Sequence, residues 1–317
     1  MRAPSVSIII PTYNRVHLLR EALDSVDRQT FRDFEVIVVD DGSTEDVAGV
    51  AENHPTRPAV IRQPRKGPAA ARNRGIQAAR GEILAFLDSD DLWHPEKLGR
   101  FVGALKTDPG VRIYYGPMTP FTEDGRPVPG RTKPCHGGRI TKQLFCSSFV
   151  HVPTVVCRKA LLVQANGFDE SLPVCEDYDL WLRLSVKEAF GLIDEPLASR
   201  RLHGNRLSKE CMSRNLAIKA MVLRRFYEAT RTLGLLDPKV AELRLARVCF
   251  VAARAAFWNG DYRQAAELCR ASRNHGQNPL STIPIAVGAA ALGCFSNKPR
   301  TPGDVSVKCA SKSTGAA

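Results

Sequence analysis

The N-terminal part of the chain repeats one pattern: an aliphatic, β-branched run, a polar cluster, then a stretch with helical spacing. The apolar runs are SVSIII (5–10), FEVIVVD (34–40), PAVIRQ (58–63) and EILAFLD (82–88). They are continuous rather than alternating, as in strands buried on both faces. Between them, Leu18, Leu19, Ala22, Leu23 and Val26 recur at helical spacing, and AAARNRGIQAAR (69–80) reads as a helix stopped by Gly81. Strands alternating with helices predict an α/β fold with a mostly parallel sheet and helices on both faces. Ligands of such sheets bind outside the carboxyl ends of the strands. The polar clusters fall there: PTYN after the first strand, DDGS after the second and DSDD after the fourth.

The rest of the chain is less regular. Residues 116–138 form a Pro-, Gly- and Thr-rich excursion, and 139–166 return to helix and strand. In GFDESLPVCEDYDLWLRLS (167–185) three carboxylates, Glu176, Asp177 and Asp179, stand at the start of an expected helix. Beyond about residue 208 the composition shifts to Ala-, Leu- and Arg-rich helices. FWNGDYRQAAELCRAS (257–272) resembles one tetratricopeptide-like hairpin, and a single copy makes no array. The expected organisation is a catalytic domain over 1–207, an α-helical region over 208–295 and a disordered tail over 296–317.

Asp88, Asp90 and Asp91 crowd three negative charges into four positions, which raises the question of their counter-charge. Asp88 and Asp90 have the spacing that points two carboxylates toward one ligand. Hard oxygens suit Mg²⁺ or Mn²⁺, which take one or two carboxylates plus substrate phosphates. The competing reading is an acidic loop in which Asp91 caps a helix starting near Pro95. DDGS has its own plain reading as a strand-ending turn, but Asp41 could also accept a nucleobase imide N–H, with Tyr13 offering an aromatic face. Arg72 and Asn73 are read either as helix-surface residues or as groups reaching a phosphate or sugar hydroxyl.

VSIIIPTYNR, FEVIVVDDGSTED, GPAAARNRG, ILAFLDSDD and CEDYDLWLR, in this order, resemble the motifs of glycosyltransferase family 2 over about residues 4–205. The resemblance implies a GT-A fold, a Rossmann-like sheet, and a nucleotide-diphosphate sugar as donor. It implies that Pro11, Tyr13 and Asp41 hold the base, usually uracil, and that Asp88 contacts the ribose; Arg72 is counted with them as a candidate donor-binding residue. Asp90 would bind the metal, with His203, in SRRLHGNRLS, reaching the metal or diphosphate. Asp177 would be the general base of an inverting transfer, with Glu176 and Trp181 as candidate contacts to acceptor or sugar and Trp181, four residues on, also able to pack beneath Asp177. Asp179 is expected as a surface or salt-bridge residue. Processive members carry QxxRW and membrane spans; this sequence shows neither, which implies that one sugar is added per encounter.

Charge and cysteine content frame the alternatives. The net charge is +12, and residues 199–231 alone carry nine Lys or Arg against Glu210 and Glu228. That stretch is expected to face anions at a membrane surface or on a lipid-pyrophosphate acceptor. Nine Cys without a CxxC pair read as reduced thiols. With no signal-peptide anatomy and no run of roughly 18 apolar residues, the expected location is the cytoplasm or the inner face of the cell membrane. A set drawn from Cys135, His136, Cys146, His151, Cys157 and Cys175 matches no zinc spacing. A sugar nucleotidyltransferase would need a Gly-rich basic loop after the first strand, and PTYNRVHLL lacks one. A nucleic-acid-binding protein rests on charge alone, and no nucleic-acid partner is expected.

Overall fold

The computed structural model describes residues 3–128, 134–202, 212–276 and 285. In chain order the elements are β1 (Val6–Thr12), α1 (Val16–Asp27), β2 (Phe34–Asp40), α2 (Val47–Glu52), β3 (Ala59–Arg62), α3 (Pro68–Ala78), β4 (Ile83–Phe86), β5 (Leu92–Trp93) and α4 (Lys97–Thr107). There follow β6 (Ile113–Tyr115), β7 (Met118–Thr122), α5 (Thr141–Cys146), β8 (Val156–Arg158), α6 (Lys159–Gln164), α7 (Glu176–Ser185), β9 (Phe190–Leu192) and β10 (Ala198–Leu202). Three longer helices come last: α8 (Met212–Thr230), α9 (Pro238–Trp258) and α10 (Tyr262–Asn274). The chain divides into two compact units, Met1–His203 and Gly204–Ala317.

The first unit is built on a seven-stranded sheet of order β3-β2-β1-β4-β8-β6-β9. β1 runs parallel to β2 and β4, β2 to β3, and β6 to β9, whereas β8 is antiparallel to both its neighbours. The sheet is therefore mostly parallel, with one reversed strand. From β1 the chain winds outward to β3, then returns to lay β4 on the other side of β1. That reversal of order opens a crevice beyond the ends of β1 and β4. A second sheet, β5-β10-β7, is smaller.

Every residue of β1 is buried, as its continuous apolar run requires. A proline in a central strand would ordinarily cost a ladder bond. Ile9 C=O accepts from Leu87 N–H at 3.1 Å, and Pro11, two residues on, faces the same way. The β1–β4 pairing has ended at Ile9 and Phe86, so no bond is forfeited at Pro11. Helix α3 lies close on β1: a Cβ at Gly75 would come 2.4 Å from Ile9 Cγ2. On the same sheet α1 buries Leu19, Ala22, Leu23 and Val26.

Two local expectations change. Helix α4 begins at Lys97, after the short strand β5, so Asp91 is not its cap. Instead Asp91 accepts Arg201 N–H at 3.1 Å, because β10 pairs antiparallel with β5 beside it. The basic stretch 199–231 is not one exposed surface either. Arg201 is 5% exposed, stacked on Phe121 at 4.7 Å and paired with Glu21. Arg200 precedes Arg201 in β10 of the first unit and is half-buried, and the other cations of the stretch lie in the second unit or outside the described residues.

In the second unit α9 packs against both α8 and α10. Ala220, Leu223 and Phe226 of α8, Leu245, Cys249 and Ala252 of α9, and Ala265 and Cys269 of α10 are buried. The turn at Asn259–Asp261 joins α9 to α10, with Asp261 accepting Gln264 N–H at 3.0 Å as the cap. Among the described residues no helix is long and apolar enough to cross a membrane. The expected tail, 296–317, lies outside the described residues.

Candidate active site

The three strand-end clusters meet at the crevice rim. After β2, Gly42 at φ +82° makes the turn that only glycine adopts without strain. Asp41 then accepts from Lys66 N–H and Gly67 N–H, each at 2.8 Å, and from Gln63 Nε2 at 2.8 Å. It therefore fixes the loop leading into α3, at whose N-terminus a carboxylate is favoured. Tyr13, just after β1, carries the Arg65 guanidinium 4.1 Å above its ring. Next to it Asn14 takes a left-handed backbone (φ 47°) and receives Thr44 N–H at 2.8 Å.

Beyond β4 the acidic cluster finds three protein cations. Asp88 binds Arg72 Nη2 at 2.7 Å, Asp90 binds Arg15 Nη1 at 2.9 Å, and Arg201 Nε donates to Asp90 C=O at 3.2 Å. Compensation is incomplete. Asp91 is held well above the usual aspartate range, first by burial and then by the charges of Asp90 and Asp88. Oxygen-only donors with surplus negative charge fit a hard divalent cation whose remaining ligands come from a diphosphate. Among the described residues no group of three His, Cys, Asp or Glu could hold a metal alone. The Cys candidates of the sequence, Cys135, Cys146, Cys157 and Cys175, take part in no disulfide among the described residues. His203 lies outside the described residues.

Arg72 is not a helix-surface residue. It is 5% exposed, and its second Nη nitrogen lies 2.6 Å from Glu176 at the start of α7. α3 is alanine-rich on that side, so it comes close enough for one guanidinium to span both carboxylates. Asn73 bonds Phe168 C=O and N–H at 2.9 Å, anchoring the same helix to the segment before α7. Cys175, in a left-handed conformation (φ 63°), precedes α7 and turns the chain so that Glu176 and Asp177 open the helix.

Asp177 is half-buried, and its Oδ1 accepts Tyr178 N–H at 2.7 Å. Its pKa is pushed up to about 7, by burial first and then by the Glu176 charge, with Arg72 opposing. Asp179, expected at the surface or in a salt bridge, is 4% exposed and bonds Arg183 at 2.8 Å. Arg183 also donates to Ala165 C=O and Gly167 C=O at 2.7 Å, which holds the loop before α7. Trp181 differs from its expectation as an acceptor or sugar contact. It is fully buried, edge-on to Phe168 at 6.1 Å, and supports the cluster from behind.

Arg15, Arg65 and Arg201 were missed by the sequence reading of the site. The signal was present as the uncompensated aspartates themselves, and Arg15 lies one residue beyond PTYN. Two clefts border the unit. One of about 390 Å³ is lined by Arg62, Gln63, Lys66, Arg74 and Glu170, and one of about 460 Å³ by His136, Lys142, Gln143 and Phe149.

Comparison with known proteins agrees with this layout. The model of glycosyl transferase family 2 matches residues 7–161. An uncharacterized glycosyltransferase of Haemophilus influenzae is 30% identical over 231 residues, 71% of this chain and 78% of that protein. One from Rickettsia felis is 33% identical over 201 residues, 63% of this chain; the chain spans about a third (33%) of that relative's length. Among solved structures, S. aureus TarS 1–349 in complex with UDP-GlcNAc superimposes with a TM-score of 0.61 at 19% identity, covering 92% of this chain and 91% of that one. Mannosyltransferase PcManGT from Pyrobaculum calidifontis, in complex with GDP-Man and Mn²⁺, gives 0.56 at 21% identity, covering 92% and 81%. With its crevice of strand-end aspartates facing the carboxylates of α7, the chain belongs to glycosyltransferase family 2.

Proposed function

We propose that this protein moves one sugar from a nucleotide-diphosphate sugar, a uridine diphosphate sugar, to a hydroxyl of a glycan or lipid-linked acceptor, with inversion and with a divalent cation. The carrying observation is the Arg72 bridge, 2.7 Å to Asp88 and 2.6 Å to Glu176, which faces a donor-side aspartate with the acidic start of α7. The reading is supported by two proteins of this fold, TarS and PcManGT, solved with UDP-GlcNAc and with GDP-Man and Mn²⁺.

The residues take these parts. Pro11 and Tyr13 wall the base pocket, and Asp41 holds the 63–67 loop beside it. Asp88 lies on the ribose side, oriented by Arg72. Asp90, together with His203, would hold Mn²⁺ or Mg²⁺ against the diphosphate, and the ion when bound neutralises charge on the leaving group. Asp177 takes the proton from the acceptor hydroxyl as its oxygen bonds the anomeric carbon. The bond from that carbon to the diphosphate oxygen breaks on the opposite face, and the nucleoside diphosphate departs with the electron pair. A base with a pKa near the working pH suits this step. Glu176 lies beside it toward acceptor or sugar. Synthesis of cell-surface polysaccharide or glycoconjugate at the inner face of a membrane is the setting this chemistry fits.

The test is thermal unfolding with UDP. Stabilisation should be large with Mn²⁺ or Mg²⁺, small with a chelator, and Asp90→Ala should abolish the metal-dependent part. Equal stabilisation with and without metal rejects the assignment.

A further inference from the structure

The C-terminal unit carries an unusual surface. Eight large apolar side chains are strongly exposed among the described residues, and all but Val163 belong to this unit. Four of them lie on α9: Val240 (54%), Leu243 (68%), Val251 (41%) and Trp258 (80%). The exposed charged positions of α9 between and beside them are Lys239, Arg247 and Arg254. Steps of three and four residues run from Val240 through Leu243, Arg247, Val251 and Arg254 to Trp258, with Lys239 four before Leu243, so the seven share one face of the helix, opposite the buried Ala241, Leu245, Cys249, Ala252 and Ala256. No carboxylate shares that face. The sole acidic residue of α9, Glu242, is half-buried and bonded to His275, while Asp237, just before the helix, caps it by accepting Val240 N–H at 3.1 Å. Lys239 and Arg247 make no ion pair among the described residues, and Arg254 stands 6.0 Å over Phe250.

We propose that this face of α9 docks the protein on an anionic lipid bilayer, lying in the interface with Leu243, Val251 and Trp258 entering the headgroup boundary. The inference rests on the membrane setting proposed above and gives it a surface other than the basic stretch 199–231. Charge complementarity decides the occupant. An exposed helix face that combines aliphatic side chains, an indole and cations, with no acid on it and too little hydrophobic length to span, offers the two attractions that hold a helix in a membrane interface, apolar burial and charge. The cations match acidic headgroups, and an indole at the helix end matches the interfacial belt. A second copy docked through the same face would set cation against cation. A nucleic acid would match the charge but leave the aliphatic side chains unused.

Trp258 supplies its own reporter. The chain has three Trp, and the other two, Trp93 and Trp181, are 4% and 0% exposed. The experiment uses the full chain with phosphatidylglycerol–phosphatidylcholine vesicles and with phosphatidylcholine alone, at low and high salt. Cosedimentation and a blue shift of Trp emission are expected with the anionic vesicles at low salt, reversed by salt and absent with the neutral ones. Trp258→Phe should remove the shift, and Leu243→Glu with Val251→Glu should weaken sedimentation about tenfold or more. Those side chains are exposed, so the unfolding midpoint and UDP binding should be unchanged. Undiminished binding by the double variant would overturn this surface and leave the membrane setting standing. No binding by the native chain overturns both, without touching the transfer reading. A Trp258 shift with RNA but not with vesicles, or self-association lost in the double variant without vesicle binding, would assign the face to those occupants instead.

Discussion

Arg72 Nη1 lies 2.6 Å from Glu176 Oε1, joining residues 104 positions apart. The same guanidinium holds Asp88, so α3 fastens the donor side of the crevice to the helix that presents Asp177. Removing the cation strands two carboxylates. Breaking a buried pair from one side costs about 3–5 kcal/mol. Arg72→Met should therefore lower unfolding free energy by that order in denaturant titration. Arg72→Lys should recover only part of it, since an ammonium cannot reproduce the planar fork.

Gly75 meets Ile9 where α3 crosses β1. Gly75→Ala would drive a methyl to 2.4 Å from Ile9 Cγ2, so the usual helix-propensity gain of alanine should reverse. Overpacking of this kind costs about 1–3 kcal/mol. Ile9→Ala removes both the Cγ2 and the Cγ1 that this methyl would meet, so the cost of Gly75→Ala should be smaller in that background than in the native chain, which a double-mutant cycle measures.

Asp177 makes stability depend on pH. Its folded pKa, about 7, is above the ordinary aspartate value of 3.8. Between those values the unfolded chain has already lost the proton and the folded chain still holds it. The contribution is thus fully present below 3.8 and is lost as pH rises through about 7. Asp177→Asn should be more stable than the native chain at pH 8, and the gap should close toward pH 4, as read by denaturant titrations at each pH.

Much of this architecture was legible because β1 and β2 are buried on both faces and their sequences say so. The rim was legible because turns after parallel strands collect function, which singled out Asp41, Asp88 and Asp90. Strand β8 was not, since three residues, Val156–Arg158, give no period and their antiparallel pairing is non-local. Arg72 sits among alanines, in a helix whose sequence shows little sidedness, so nothing in the chain marks it as buried. Lys97 is harder still. It is wholly buried, with Nζ 3.0 Å from Thr154 C=O and 4.0 Å from the Phe101 ring centre, although a lysine in a helix's first turn reads as solvated. Trp181 was placed on the right helix with two outlooks open, because a tryptophan four residues after an acidic pair fits lining and packing equally well, and its burial selects packing.

The central claim is that Asp177 serves as the base while the aspartates beyond β4 hold the donor. The direct measurement is donor turnover, read as UDP release from the nucleotide sugar that best stabilises the native chain, compared across Asp177→Asn and Glu176→Gln. Asp177→Asn preserves size and should keep metal-dependent UDP binding while turnover falls about 10²–10⁴-fold. The native chain's rate should rise with pH through about 7, and the residual rate of the variant should lose that dependence. Near-native turnover in Asp177→Asn, with Glu176→Gln inactive, would contradict the account and move the base one residue back.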